Sequence, residues 1–302
     1  MRSFAGVKTF PKIAGLIAAS VVLALGADAG RYTQEVEAWR VERTAQLTKP
    51  DGWLTLIGLH FLNEGANRVG SAKENDVVLA SGPAHFGVVT LAADGKVNFA
   101  LTDGVDAKIG GEAVRRAELK VGENAKTATF VTAGSVTFFA VDRSGKKALR
   151  VKDSAAETRT HFLGLDYFPI DPAWRVDARW EAFETARFMP FTNILGQATR
   201  EVVAGKAVFE RDGKTFELLA IEEGPENPLF FVISDATTGK ETYGACRFIY
   251  AERPQDGKIV LDFNHAENPP CAFTPFATCP LRRRKNRLPF AVNAGEKKYR
   301  DA

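Results

Sequence analysis

The sequence predicts a mainly β protein: two antiparallel β units preceded by one N-terminal helix. Three observations carry this. After Trp53 the apolar residues fall into many short runs, several alternating with period two, the spacing of half-buried strands. Turns of one kind recur between those runs: Asp94-Gly95-Lys96, Ser144-Gly145-Lys146, Asp212-Gly213-Lys214, Thr238-Gly239-Lys240 and Asp256-Gly257-Lys258. Asp-Gly supplies the positive-φ positions that tight hairpins need. No alternation of strands with helices is visible, which disfavours a parallel α/β architecture.

The elements follow in order. Residues 1–29 read as a signal peptide. Arg2, Lys8 and Lys12 form a basic start, Ile13 to Gly26 an apolar segment short of the ~20 residues of a membrane span, and Ala27-Asp28-Ala29 a small-residue cleavage site. Cleavage gives a mature start at Gly30 and a periplasmic or secreted protein; retention as an anchor is the rival reading. Thr33–Leu47 is expected to be helical, because Tyr32, Val36, Trp39 and Arg43 recur at three- and four-residue steps. It stops at the turn Lys49-Pro50-Asp51-Gly52. The clearest strand is Trp174–Ala182, with Trp174, Val176, Ala178 and Trp180 facing one way and Arg175, Asp177, Arg179 and Glu181 the other. Other strands are expected at 76–79, 87–91, 96–101, 127–131, 135–141, 148–151, 206–211, 215–221, 229–233, 246–250 and 259–263. The resulting divisions are 1–29 leader, 30–52 helix and turn, 53–151 first β unit, 152–172 connection, and 173–302 second β unit.

Removing three basic residues and Asp28 with the leader takes the formal charge of the 302-residue chain from +3 to +1. Near-neutral balance and export both argue against a nucleic-acid partner. No later segment reaches membrane-spanning length. Export permits disulfides. Cys271 and Cys279 are the natural pair, closing a seven-residue loop for roughly 2–3 kcal/mol; all three cysteines being reduced and buried is the alternative. Cys246 reads as a small core residue.

Residues Glu64–Glu112 resemble a forkhead-associated domain, a β-sandwich. The likeness rests on Gly70, the run Asn75-Asp76-Val77-Val78-Leu79, the loop at His85 and the Gly110-Gly111 turn. The family grips phosphothreonine with an Arg after the Gly and a Ser-Arg pair before the His. Here Ser71 follows Gly70 and Pro83-Ala84 precede His85, so the charge-assisted phosphate contact is lost and phosphopeptide binding is not implied. The motifs LDYFPIDPAWRV (165–176), DATTGKETYGACRFIY (235–250) and LDFNHAENPPCAFTPFATCPL with NRLP (261–289) are similar to the uncharacterised bacterial domain-of-unknown-function family sixteen-eighty-four. That resemblance implies no reaction. The chain departs from the pattern at Arg282-Arg283-Arg284, in place of a proline-rich run, and at His265, in place of Arg.

The densest functional-looking stretch is Asp262–Pro289, a proline-broken loop crowded with polar side chains. Lys240, Thr242, Tyr243, Asp262, Asn264, Asn268, Thr274, Asn286 and Arg287 are the candidate ligand-binding residues. Arg287 would pair with an anionic group while Asn264 and Thr242 fix orientation. The competing reading is a polar network that ties the loop down. Catalytic candidates are His265, Cys271 and Asp262, with Cys271, His265 and Asn268 as nucleophile, base and orienter. Standard catalytic signatures are missing. The four histidines are too widely spaced to imply a metal, and no cofactor is expected. The charge run Arg282–Lys285 is a solvated tip or a contact for anionic lipid headgroups and envelope polymers. The function expected is therefore an exported cell-envelope protein that binds a small molecule or an envelope polymer. The alternative is a hydrolase with a non-standard site in the 262–289 loop.

Overall fold

The structure is a computed structural model describing residues 14–124 and 126–300; residues 1–13 of the expected leader lie outside the described residues. Helix α1 spans Ala14–Leu47. It starts earlier than the expected Thr33, because the Ala- and Leu-rich segment before it carries high helix propensity. From residue 30 onward the helix presents the stripe read from the sequence: Val36 and Leu47 are buried, and Tyr32, Trp39, Arg40 and Arg43 half-buried. Among the described residues no helix is long and apolar enough to cross a membrane.

The first β unit is a sandwich of two five-stranded sheets. Its strands are β1 (Leu56–Phe61), β2 (Gly65–Gly70), β3 (Val77–Val78), β4 (Gly87–Leu91), β5 (Val97–Leu101), β6 (Lys108–Ile109), β7 (Arg116–Leu119), β8 (Val131–Ala133), β9 (Val136–Arg143) and β10 (Lys146–Asp153). One sheet has the order β1-β10-β9-β8-β6, the other β3-β2-β4-β5-β7. Inward side chains of both sheets, among them Phe86, Phe99 and Phe138, meet in one core with edge-on ring contacts. Strands β1, β2 and β7 were not legible as strands. The expected strand at 127–131 is displaced, because the Thr127 hydroxyl accepts from the Glu123 and Asn124 amides and holds a turn there; the ladder begins at Val131. In the forkhead-like region Ser71 donates to the Gly82 carbonyl, and His85 lies 3.4 Å from Glu74. An acidic neighbour at His85 is a poor setting for phosphate.

The connection carries a four-residue helix, α2 (Glu157–Thr160). The second unit is a six-stranded sheet of β11 (Arg175–Thr192), β12 (Ala198–Arg211), β13 (Lys214–Ile221), β14 (Leu229–Ile233), β15 (Arg247–Ala251) and β16 (Lys258–Asp262), in the order β15-β14-β13-β12-β11-β16. The sheet curls until its edge strands β15 and β16 touch. Leu218, Phe231, Ile249, Leu261 and Phe263 fill the inside. A second core lies on the outer side, where Val232, Cys246 and Phe248 pack under Ala277 and Cys279 and against Leu56 of β1. Three of the five expected turns are built as read: φ is 55° and 82° at Ser144-Gly145, 52° and 68° at Asp212-Gly213, and 50° and 72° at Asp256-Gly257; at Asp94-Gly95 and Thr238-Gly239 only the glycine has positive φ, and Thr238-Gly239 lies in the long connection between β14 and β15 rather than in a tight hairpin.

Candidate functional site

The loop after β16 is clamped by helix α1. Asp262 caps the short turn that follows it by accepting from the Asn264 amide, and both its oxygens lie 2.9 Å from the Tyr32 hydroxyl, which donates to it. Burial, then the Asp262 charge, push the Tyr32 phenol well above its usual range. Asn264, fully buried, donates to Tyr32 at 2.8 Å and exchanges hydrogen bonds with the backbone of Asp171. Two turns further along α1, Trp39 covers the His265 ring at 4.6 Å. Burial lowers the His265 pKa, opposed by Asp262 at 3.8 Å. A further turn on, Arg43 lies 2.9 Å from Glu296 and 3.4 Å from Glu267, and donates to the Asn268 carbonyl.

The other candidate residues do not converge on one pocket. Thr242 joins Thr237 in a buried knot with Asp235, which pairs with Arg247 at 2.8 Å. Asn286 exchanges hydrogen bonds with the backbone of Leu219 on β13, both at 2.9 Å. Thr274 donates to the Leu56 carbonyl, Asn268 to Lys297, and Tyr243 to Cys271. Lys240 and Arg287 are exposed. The polar residues of the loop are thus tied to backbone, as a segment without regular structure needs.

Cys271 and His265 are not paired as nucleophile and base. The Cys271 amide faces the Cys279 sulfur at 3.3 Å, whereas His265 faces Trp39 and Asp262. All three cysteines are free, so the expected Cys271–Cys279 cross-link is not formed. The two sulfurs share one proton environment: hydrogen bonding to Cys279 holds the Cys271 thiol below its usual range and drives Cys279 upward. Among the described residues no group of three or more His, Cys, Asp or Glu side chains is placed to hold a metal.

Where titratable groups do converge is a cleft of about 440 Å³ between the sandwich and the second unit. The loop supplies its floor with Glu267, Pro270, Thr278 and Cys279; α1 supplies Arg43; the sandwich supplies Trp53, Arg143 and Arg150; the curled sheet supplies Glu223 and Tyr250. Arg150 sits on β10 in the buried run Ala148–Val151, with a side chain only 5% exposed. Its one ion pair is a 3.3 Å contact to Glu123, whose carboxylate is already held by Arg143 at 2.5 and 2.6 Å. The Arg150 Nε is buried without a partner. Burial and the Arg143 charge push the Arg150 guanidinium down to about 10. Trp53 lies under it at 5.5 Å. Across the cleft, burial lifts the Glu267 carboxyl to about 7 despite Arg43. Tyr250 is stacked on Phe230 and 45% exposed.

Of this set the sequence pointed only to the loop. Arg43 was visible as a basic residue on the helix stripe. Arg150 was missed; the signal that could have found it is a charge inside an otherwise apolar strand, the mark of a buried cation. A larger open groove of about 650 Å³ runs between the sandwich and the β11–β12 hairpin, but its basic side chains, Lys146 and Lys147, are a hairpin pair with Lys147 held by Asp142.

Residues 160–297 match the profile of a family described as "Protein of unknown function (DUF1684)", and the chain belongs to that family through this segment. No curated protein matches the chain. Among solved structures, an uncharacterized protein of Haloarcula marismortui, determined in solution by NMR, is 33% identical over 46% of this chain and 78% of its own, with a TM-score of 0.40. The crystal structure of Rad53 1–466 in complex with AMP-PNP is 10% identical over 74% of this chain and 51% of its own, with a TM-score of 0.15. Neither TM-score is high enough to equate the folds.

Proposed function

We propose that the protein binds a small anionic molecule in the cleft between its two β units, with Arg150 as the anchoring cation. The observation that carries this is the state of Arg150: a nearly inaccessible guanidinium with one 3.3 Å contact and an orphaned Nε. An under-partnered buried charge is costly, and a ligand carboxylate or phosphate can offset that cost with a bidentate contact. The cleft volume lies within the range of small-molecule pockets. Trp53 and Tyr250 offer apolar walls, and Glu267 offers a group able to hold or release a proton near neutrality. The ligand class is therefore a small carboxylate or phosphate with a flat or apolar part and a hydrogen-bonding group opposite its anion.

On its N-terminal pattern we assign this binding to the cell envelope, after cleavage at Ala29. N-terminal sequencing of the protein from the periplasmic fraction tests this: Gly30 is the expected first residue, and an intact leader contradicts it. Ligand binding is tested by thermal shift with a panel of carboxylates, phosphates and anionic glycans. At a hundred times its Kd a ligand adds ~2.7 kcal/mol of stability. At least one compound is expected to raise the melting temperature of the wild type but not of Arg150→Met. Silence across the panel, or a shift that survives in the variant, overturns the reading.

A further inference from the structure

The cleft that holds Arg150 has a second charged end, and that end is acidic. Val203 on β12 is opposite Ile221 on β13, and the Glu222 amide donates to the Val202 carbonyl at 2.8 Å. Continuing this register, the next pair outward is Glu201 and Glu223. Both line the cleft, on the face where Val203, Ile221 and Phe230 form the outer core. Two carboxylates directly across a ladder repel each other. Burial and the Glu201 charge raise the Glu223 carboxyl above its usual range.

Among the described residues no cation forms an ion pair with either carboxylate. Arg253 is held by Glu222 at 2.9 Å, Arg187 lies 4.2 Å over the Phe183 ring, and Arg283 donates to the Pro190 carbonyl. Within the cleft Arg43 is taken by Glu296 and Glu267, and Arg143 by Glu123. Arg150 is the exception: 5% exposed, with an unpartnered Nε and one ion pair that goes to Glu123 rather than to Glu201 or Glu223. One small cavity therefore offers an under-partnered cation at one end and an unrelieved pair of carboxylates at the other. The Tyr250 phenol lies near Glu223 and Glu267, and burial with these charges keeps it protonated. A primary ammonium carries three donors, which two carboxylates and one phenol oxygen can accept. Two carboxylates are too few oxygens for a calcium or magnesium cage.

We propose, resting on the anion reading of this cleft, that its ligand is a zwitterion: one small molecule with its carboxylate or phosphate on Arg150 and a primary ammonium between Glu201 and Glu223. The test compares matched compounds with and without the amine: phosphoethanolamine with ethyl phosphate, 4-aminobutyrate with butyrate, and glucosamine 6-phosphate with glucose 6-phosphate. Titration calorimetry on the full chain at pH 7 measures each Kd. In at least one pair the amine is expected to bind roughly tenfold tighter or more, the effect of one charge-assisted hydrogen bond. Glu201→Gln with Glu223→Gln should erase that difference, and Arg150→Met should abolish binding of both members. Plain anions that bind with no gain from the amine overturn the zwitterion and leave the anion site standing. Binding of neither member of any pair overturns both readings. A gain that survives in the double Gln variant overturns the role of Glu201 and Glu223. Without ligand, the double variant should melt higher than the wild type, because the cross-strand repulsion is gone. A lower melting temperature would show the two carboxylates to be structural and overturns the ammonium site.

Discussion

Glu267 makes the stability of this protein depend on pH in a direction opposite to that of an ordinary paired carboxylate. Its side chain is 15% exposed, 3.4 Å from Arg43, and burial raises its pKa from 4.5 to about 7. The folded state therefore holds this proton more tightly than the unfolded state. The stabilisation is fully present below about pH 4.5 and is lost as pH rises through about 7. Between pH 5 and pH 8 nearly the whole displacement is traversed, and at about 1.4 kcal/mol per tenfold change in proton affinity it amounts to about 2–3 kcal/mol. Replacing the group by Gln removes the titration and keeps the shape. The assay is thermal unfolding of the wild type and Glu267→Gln at pH 5 and pH 8. The loss on going to pH 8 is expected to be larger in the wild type by about 2–3 kcal/mol, or roughly 5–10 °C for a chain of this size. His265, whose folded pKa is lowered, works the other way on acidification, and the wild-type-minus-variant difference cancels it. Equal pH dependence in the two proteins would refute the buried, proton-retaining carboxyl.

Two further results are expected. Asn264→Ala removes hydrogen bonds to both backbone groups of Asp171 and to the Tyr32 hydroxyl and should cost ~2–3 kcal/mol, whereas Tyr32→Phe removes only the hydroxyl's contacts to Asp262 and Asn264 and should cost ~1–2 kcal/mol; denaturant melts that reverse this order contradict the clamp. Mild oxidation should join Cys271 to Cys279 within one chain, because their sulfur environment is shared and Cys271 holds the more acidic thiol; peptide mapping that finds Cys246 in the bond instead contradicts this.

How much of this was legible depended on how local the cause was. The hairpins at Ser144, Asp212 and Asp256 were, since a two-residue turn with positive φ is written in two letters. Strand β11 was legible through Trp174–Ala182 because one of its faces stays wet. The loop's structural part was legible too: Asn264, Asn268, Thr274 and Asn286 each satisfy backbone, as a proline-broken segment demands. Strands β1, β2 and β7 were not, because Gly58, Gly65 and Gly70 interrupt the first two and β7 is four residues long. The cleft was out of reach for a different reason. Arg43, Arg150 and Glu267 lie far apart in sequence and meet only when α1, β10 and the loop pack. Glu267 illustrates this: nothing in Ala266-Glu267-Asn268 announces burial, yet tertiary packing encloses the carboxylate against Arg43.

Unfolding of the wild type and Arg150→Met in denaturant, without any ligand, separates a ligand anchor from a structural ion pair. In Arg150→Met, Glu123 keeps its bidentate pair with Arg143, and the methionine still covers Trp53. If Arg150 is held buried for an absent anion, removing its charge should leave stability unchanged or raise it by about 1–2 kcal/mol. A loss of 3 kcal/mol or more would show Arg150 to be a structural partner, and would contradict its role as the anchor of the cleft.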